Sequence, residues 1–206
     1  MRLVSGLFLL ACLMGPAPAA LADTSPEDEA LAALEASLPG TLMNNPYTTD
    51  WRTNGANQSA RVVRVREIPG EYAYEVKVRR AGRNPWDVSV TASLSAGVAA
   101  GDAVLVAFWA RATETDEGRT SAPVQMRLQQ MAAPYTGAAE AQVEVNTRWQ
   151  LHYVKGIAPA DYSSRDINLA FNVAAHRQTV QFGQVYVMNL GQGVRLEELP
   201  SGAEEL

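Results

Sequence analysis

The sequence predicts an all-β protein, an antiparallel β-sandwich preceded by one short helix. Three observations carry this. From Arg61 onward the chain runs in short, β-branched segments that alternate apolar and polar residues. Gly- and Pro-containing turn signals separate these segments at intervals of roughly 8–12 residues. No helical periodicity is interleaved with them, which excludes a parallel α/β sheet.

Taken in order, Met1 to Ala22 reads as a secretory leader. Arg2 supplies the positive charge, Leu3 to Met14 an apolar run, and Ala20-Leu21-Ala22 the small residues of a cleavage site before Asp23. The run is shorter than the roughly 20 apolar residues a membrane-spanning helix needs. A secreted or periplasmic location is therefore expected, with a lipid anchor through Cys12 as the alternative, because Leu9-Leu10-Ala11-Cys12 resembles a lipoprotein cleavage box. Residues 23–43 form the helical segment: Ser25 as N-cap, Pro26 in the first turn, acids at Glu27 to Glu29, and Pro39-Gly40 as the stop. The sandwich is assigned to residues 44–190 and a loose, Gly- and Glu-rich tail to 191–206. Within the sandwich the expected strands are Arg61–Arg66, Tyr72–Arg80, Trp86–Ser95, Ala103–Thr113, Val124–Met131, Ala141–Val145, Trp149–Lys155, Asp166–Val173 and Thr179–Asn189.

Composition removes several function classes. Cys12 is the sole cysteine and lies in the leader, so the mature chain has neither a disulfide framework nor a thiolate site. The net charge is −5, one unit more negative without Arg2, which argues against nucleic acid as a partner. No zinc-protease helix, nucleophile elbow or phosphate loop is present. Carboxylates such as Asp87, Glu144 and Asp166 occur, but no spacing pairs two of them around one glycosidic bond.

Strand parity exposes a candidate binding face. In the segment Val124 to Met131, the side chains of Gln125, Arg127, Gln129 and Met131 share one face; Val124, Met126, Leu128 and Gln130 share the other. In Ile167 to Val173, Asn168, Ala170 and Asn172 point outward. Amides and a guanidinium offer donors and acceptors in fixed geometry to vicinal hydroxyls, and a ring such as Tyr135 can stack on a pyranose. Trp109 alternates with Phe108, and Trp51 lies in a polar loop, so both are further ring candidates. Trp86, in phase with Val88 and Val90, and Trp149, in phase with Leu151 and Tyr153, are expected in the core; His152 is expected on the surface.

The run Gly101-Asp102-Ala103-Val104-Leu105-Val106-Ala107-Phe108-Trp109-Ala110-Arg111-Ala112, preceded by Asn84-Pro85-Trp86-Asp87-Val88-Ser89-Val90, resembles carbohydrate-binding module families 4 and 9. These are the jelly-roll, galactose-binding-domain-like modules that accompany bacterial cellulases and xylanases. The likeness extends through Trp149 to Tyr153, Leu169 to Val173 and Val180 to Val187, about residues 44–189 in all. It implies a non-catalytic module that recognises a poly- or oligosaccharide, with Gln125, Tyr135 and Asn172 at matching ligand positions and Met131 departing from the family's polar residue there. It also implies a structural calcium, but Gly183 and Gln184 stand where the carboxylate ligands would be, so no cofactor is expected. Two alternatives remain: an envelope protein-interaction module without sugar binding, and a polysaccharide lyase or glycoside hydrolase, the former enzyme suggested by Gln150-Leu151-His152.

Overall fold

A computed structural model describes residues 39–205, together with Ala33 and Ala36. The leader and most of the expected helix lie outside the described residues. Twelve strands form two antiparallel sheets: β1 (Thr41–Leu42), β2 (Arg52–Gly55), β3 (Gln58–Arg64), β4 (Tyr72–Val78), β5 (Val88–Ser93), β6 (Ala103–Glu114), β7 (Ser121–Gln130), β8 (Gly137–Asn146), β9 (Gln150–Ile157), β10 (Ile167–Asn172), β11 (Gln178–Gly191) and β12 (Gly202–Glu205). One sheet has seven strands in the order β12-β9-β6-β11-β4-β3, with β1 beside the second half of β11; the other has five, β2-β5-β10-β7-β8. The expected sandwich is thus the observed one.

Each sheet turns one alternating face inward. Val104, Val106, Phe108 and Ala110 of β6 meet Val124, Met126 and Leu128 of β7 and Leu169 and Phe171 of β10, all buried. Burying side chains of this size stabilises the fold by about 1.5–3 kcal/mol each. The sheets come into backbone contact at β8 and β9, where a Cβ on Gly156 would stand 2.1 Å from the Ala138 carbonyl oxygen. Glycine is needed there for the backbones to touch.

The outer face of the seven-stranded sheet is also partly covered. The loop residues Val65 and Ile68 fold over it and, with Ala73 of β4, bury Trp149, with Trp109 packed alongside. Trp149 is therefore buried, in a small cluster outside the sandwich core. The guanidinium carbon of Arg111 lies 4.8 Å from the Trp149 ring centroid, and Arg111 Nε donates to Gln181 Oε1 at 2.8 Å.

Three expectations need correction. The tail is not loose: Gly202–Glu205 pairs with Gln150–Tyr153 of β9, and Lys155 Nζ donates to the Leu199 carbonyl at 2.7 Å. His152 is not on the surface. It is 2 % exposed, facing inward from β9 and stacked on Phe108 with ring centroids 5.2 Å apart. Trp86 is not in the core. Pro85–Asp87 is a 3-10 turn, so the alternation of β5 begins only at Val88, and Trp86 is 58 % exposed.

Candidate glycan-binding face

Pairing across the five-stranded sheet lines its outer side chains into three rows that cross the strands. The middle row is Arg52, Thr91, Ala170, Arg127 and Glu140. On one side run Asn54, Ser89, Asn172, Gln125 and Gln142; on the other run Ser93, Asn168 and Gln129. Ala170 is the smallest side chain of the middle row and sits at its centre, between the amides of Asn168 and Asn172 along β10. The result is a shallow trough with polar sides, at whose centre the small Ala170 is itself covered, 1 % exposed.

A chain of hydrogen bonds fixes these polar groups. Asn172 Nδ2 donates to Gln125 Oε1 at 3.0 Å, and Gln125 Nε2 donates to Glu140 Oε1 at 2.8 Å. The other Glu140 oxygen lies 3.1 Å from Arg127 Nε, and an Arg127 terminal nitrogen donates to the Tyr135 carbonyl at 2.9 Å. Such partly exposed pairs add little stability; their effect is to hold amides and guanidinium in one orientation. Four of the predicted residues, Gln125, Arg127, Tyr135 and Asn172, are thereby brought together, and Gln129 lies one row further along β7.

Tyr135 follows Ala132 in a tight turn after β7, its N–H donating to the Ala132 carbonyl at 2.8 Å. Its φ is 57°, in the left-handed region that costs a non-glycine residue about 1–2 kcal/mol. Its side chain is 48 % exposed. A strained backbone presenting an exposed ring is the kind of feature found at ligand sites.

The opposite ends of the strands carry a second ring that parity missed. Trp86 sits on the turn before β5, which packs against β10. Asp87 Oδ2 accepts from the N–H groups of Arg83 and Asn84 at 2.7 and 3.2 Å, and Ala174 N–H donates to the Pro85 carbonyl at 2.9 Å. Those backbone donors also lower the pKa of Asp87. The signal for this turn was available: Asn84-Pro85 opens it, and Asp87 caps it three residues on.

Other predicted residues are placed elsewhere. Asn172 faces the expected side but is 3 % exposed, because the Trp86 turn packs against its end of β10; it orients Gln125 and is not open to a ligand. Trp109 points away from the core as parity allowed, yet belongs to the opposite sheet and is half-covered by the Val65–Ile68 cluster. Trp51 stacks on Tyr74, Phe171 and Phe182 at 5.7, 5.9 and 6.1 Å, with its Nε1 donating to the Thr48 carbonyl, so it closes the aromatic core. Gly183 lies against Ile68 and Trp109, where a Cβ would meet Ile68 Cδ1 at 2.5 Å, and Gln184 is buried.

The catalytic candidates are dispersed. Glu144 Oε2 accepts from Ser121 Oγ at 2.6 Å and Asp166 Oδ2 from Ser163 Oγ at 2.6 Å, each a local structural contact. His152 lies between the sheets, and burial drives its pKa down to about 4. Both facts remove the support that Gln150-Leu151-His152 gave to a lyase.

No protein-family model and no curated protein sequence matches the chain. Solved structures do. A family 4 carbohydrate-binding module superposes with a TM-score of 0.52 at 18 % identity, over 68 % of this chain and 94 % of that one. The second N-terminal cellulose-binding domain of Cellulomonas fimi β-1,4-glucanase C gives 0.51 at 16 % identity, over 74 % and 92 %. An arabinose-bound α-L-arabinofuranosidase gives 0.53 at 14 % identity, over 80 % of this chain but 26 % of that one. The protein therefore has the jelly-roll fold of the carbohydrate-binding modules, as its sequence led us to expect.

Proposed function

We propose that the protein is an exported, non-catalytic module that binds a poly- or oligosaccharide across the outer face of its five-stranded sheet. The observation that carries this is the trough of orientated amides and guanidinium with an exposed ring at each of its two sides, Trp86 at one end of the strands and Tyr135 at the other. Five strands at spacings of about 4.8 Å make the trough roughly 19 Å long, room for about four pyranose units lying across the strands. Gln125, Gln129 and Arg127 address hydroxyls, and Trp86 and Tyr135 stack on ring edges or faces. The cellulose-binding domain with the same fold supports the reading.

Affinity electrophoresis of the mature chain through gels containing β-glucan, xylan, mannan or alginate tests it. Retarded migration in at least one gel is expected; unretarded migration in all of them refutes it.

Export rests on the leader. N-terminal sequencing of protein recovered from the native envelope is expected to begin at Asp23, whereas labelled fatty acid on Cys12 would make it a tethered module. Among the described residues, no helix is long and apolar enough to cross a membrane. A protein partner in the envelope is the second reading. It is favoured by the half-buried Tyr153, Tyr186 and Leu190 on the outer face of the seven-stranded sheet. A defined envelope partner whose binding survives Trp86→Ala together with Tyr135→Ala would support it.

A further inference from the structure

Beside the trough, where β2, β5 and β10 meet the loop 44–50, lies a pocket of about 300 Å³. Asp50, Arg52, Thr91, Ser93, Met131 and Asn168 line it. Thr91 and Arg52 belong to the middle row, Ser93 and Asn168 to the outer row, and Met131 lies one residue beyond β7. The pocket therefore lies to the side of the trough axis and opens from it; it does not prolong it.

Its lining differs from that of the trough. In the trough, Arg127 is matched by Glu140 and Gln125 by Asn172. In the pocket, among the described residues, neither the Asp50 carboxylate nor the Arg52 guanidinium makes a hydrogen bond or ion pair; only their backbones do, the Asp50 N–H donating to Thr48 Oγ1 and the Arg52 carbonyl accepting from Thr91 Oγ1. Asn168 Oδ1 likewise has no partner among them. A free carboxylate accepts from two adjacent hydroxyls, a free guanidinium donates to two oxygens, and the exposed Met131 thioether offers an apolar contact. A volume at the bottom of the roughly 300–1,000 Å³ range of ligand pockets suits one sugar ring and not a chain. Because Asp50 and Arg52 cancel in charge, the pocket has no net charge with which to select an anionic ring, and both side chains serve as hydrogen-bonding groups to a neutral one.

We infer that this pocket takes a single neutral pentose or hexose branch of the glycan whose backbone lies in the trough, so that the protein selects a substituted polysaccharide over its bare backbone. This rests on the sugar-binding reading above. Calorimetric titration with matched probes tests it: xylohexaose against the same backbone bearing single arabinosyl branches, mannohexaose against its galactosylated form, and cellohexaose against a xylosylated cello-oligosaccharide. For one pair the branched member is expected to bind about tenfold more tightly, the worth of one or two charge-assisted hydrogen bonds. That ratio should fall to about one in Asp50→Ala and, on a different element, in Ser93→Ala, with melting temperatures confirming that both variants are folded. Equal binding of both members of every pair that binds overturns the branch pocket and leaves sugar binding intact. A preference that persists in both variants also overturns it, by placing the branch elsewhere. Absence of binding to all six probes overturns both.

Discussion

Replacing His152 by phenylalanine should abolish a specific part of the protein's sensitivity to acid. The imidazole is 2 % exposed, stacked on Phe108, and its Nε2 has no hydrogen-bond partner among the described residues. Burial lowers its pKa from the ordinary 6.5 to about 4. The folded protein thus holds a neutral ring over a pH range in which the unfolded chain binds a proton. Stability from this group is complete above the unfolded pKa and is lost as the pH falls from about 6.5 towards 4. At about 1.36 kcal/mol per pH unit, lowering the pH from 7 to 4.5 costs about 2–3 kcal/mol through this group alone. That is a sizeable part of the roughly 5–15 kcal/mol that holds a domain folded. Urea unfolding at pH 7, 6, 5 and 4.5 reads it: wild type should lose about 2–3 kcal/mol more than His152→Phe over that interval. Contributions from carboxylates such as Glu67 and Glu114, whose pKa values are lowered by hydrogen bonds, are common to both proteins and cancel. Parallel stability curves would refute a buried, neutral His152.

Other outcomes follow from the same contacts. Gln125→Ala leaves the buried Asn172 amide without the acceptor it has at 3.0 Å; stability should fall by about 1–3 kcal/mol in denaturant titrations, and glycan affinity should fall with it. Gly156→Ala puts a methyl group 2.1 Å from the Ala138 carbonyl oxygen and should lower stability by about 1–3 kcal/mol or more, read as a drop in melting temperature. Removing residues 199–206 takes β12 off β9, and hydrogen exchange should then accelerate at those amides of Gln150 to Tyr153 that face β12 while β6 stays protected.

The sandwich was legible in the sequence because strands such as β5 bury one face and alternate, and because the turn signals fall between the strands; β6, β10 and β11 are buried on both faces over much of their length. The same alternation placed Gln125, Arg127, Gln129 and Asn172 on one side of the sheet. It failed where a residue lies just outside a ladder. Trp86 precedes Val88 by the two residues that alternation would require, but a 3-10 turn breaks the count and turns the indole to solvent. His152 was misplaced because the apolar Leu151 and Tyr153 suggested the inward face, whereas those two cover the outer side and the imidazole fills the core against Phe108. Trp109 and Trp51 could not be resolved from local pattern at all. What covers Trp109 is the distant segment Val65–Ile68, and what receives Trp51 is Phe171 and Phe182 on two other strands. The strand Gly202–Glu205 carries no apolar signal, since all four residues are exposed; it is held by backbone pairing and by contacts such as Tyr153 Oη to Glu204 at 3.1 Å.

The central claim is that sugar lies across the five-stranded face between Trp86 and Tyr135. Nuclear magnetic resonance titration of the isotope-labelled mature chain with an oligosaccharide of the retarding polysaccharide tests it most directly. The account predicts that the Trp86 indole N–H and the side-chain amides of Gln125 and Gln129 shift in a saturable way. The Trp149 indole, beneath the cluster on the opposite sheet, should stay still. Saturable shifts confined to the seven-stranded sheet, with Trp86 and the trough amides unmoved, would contradict it.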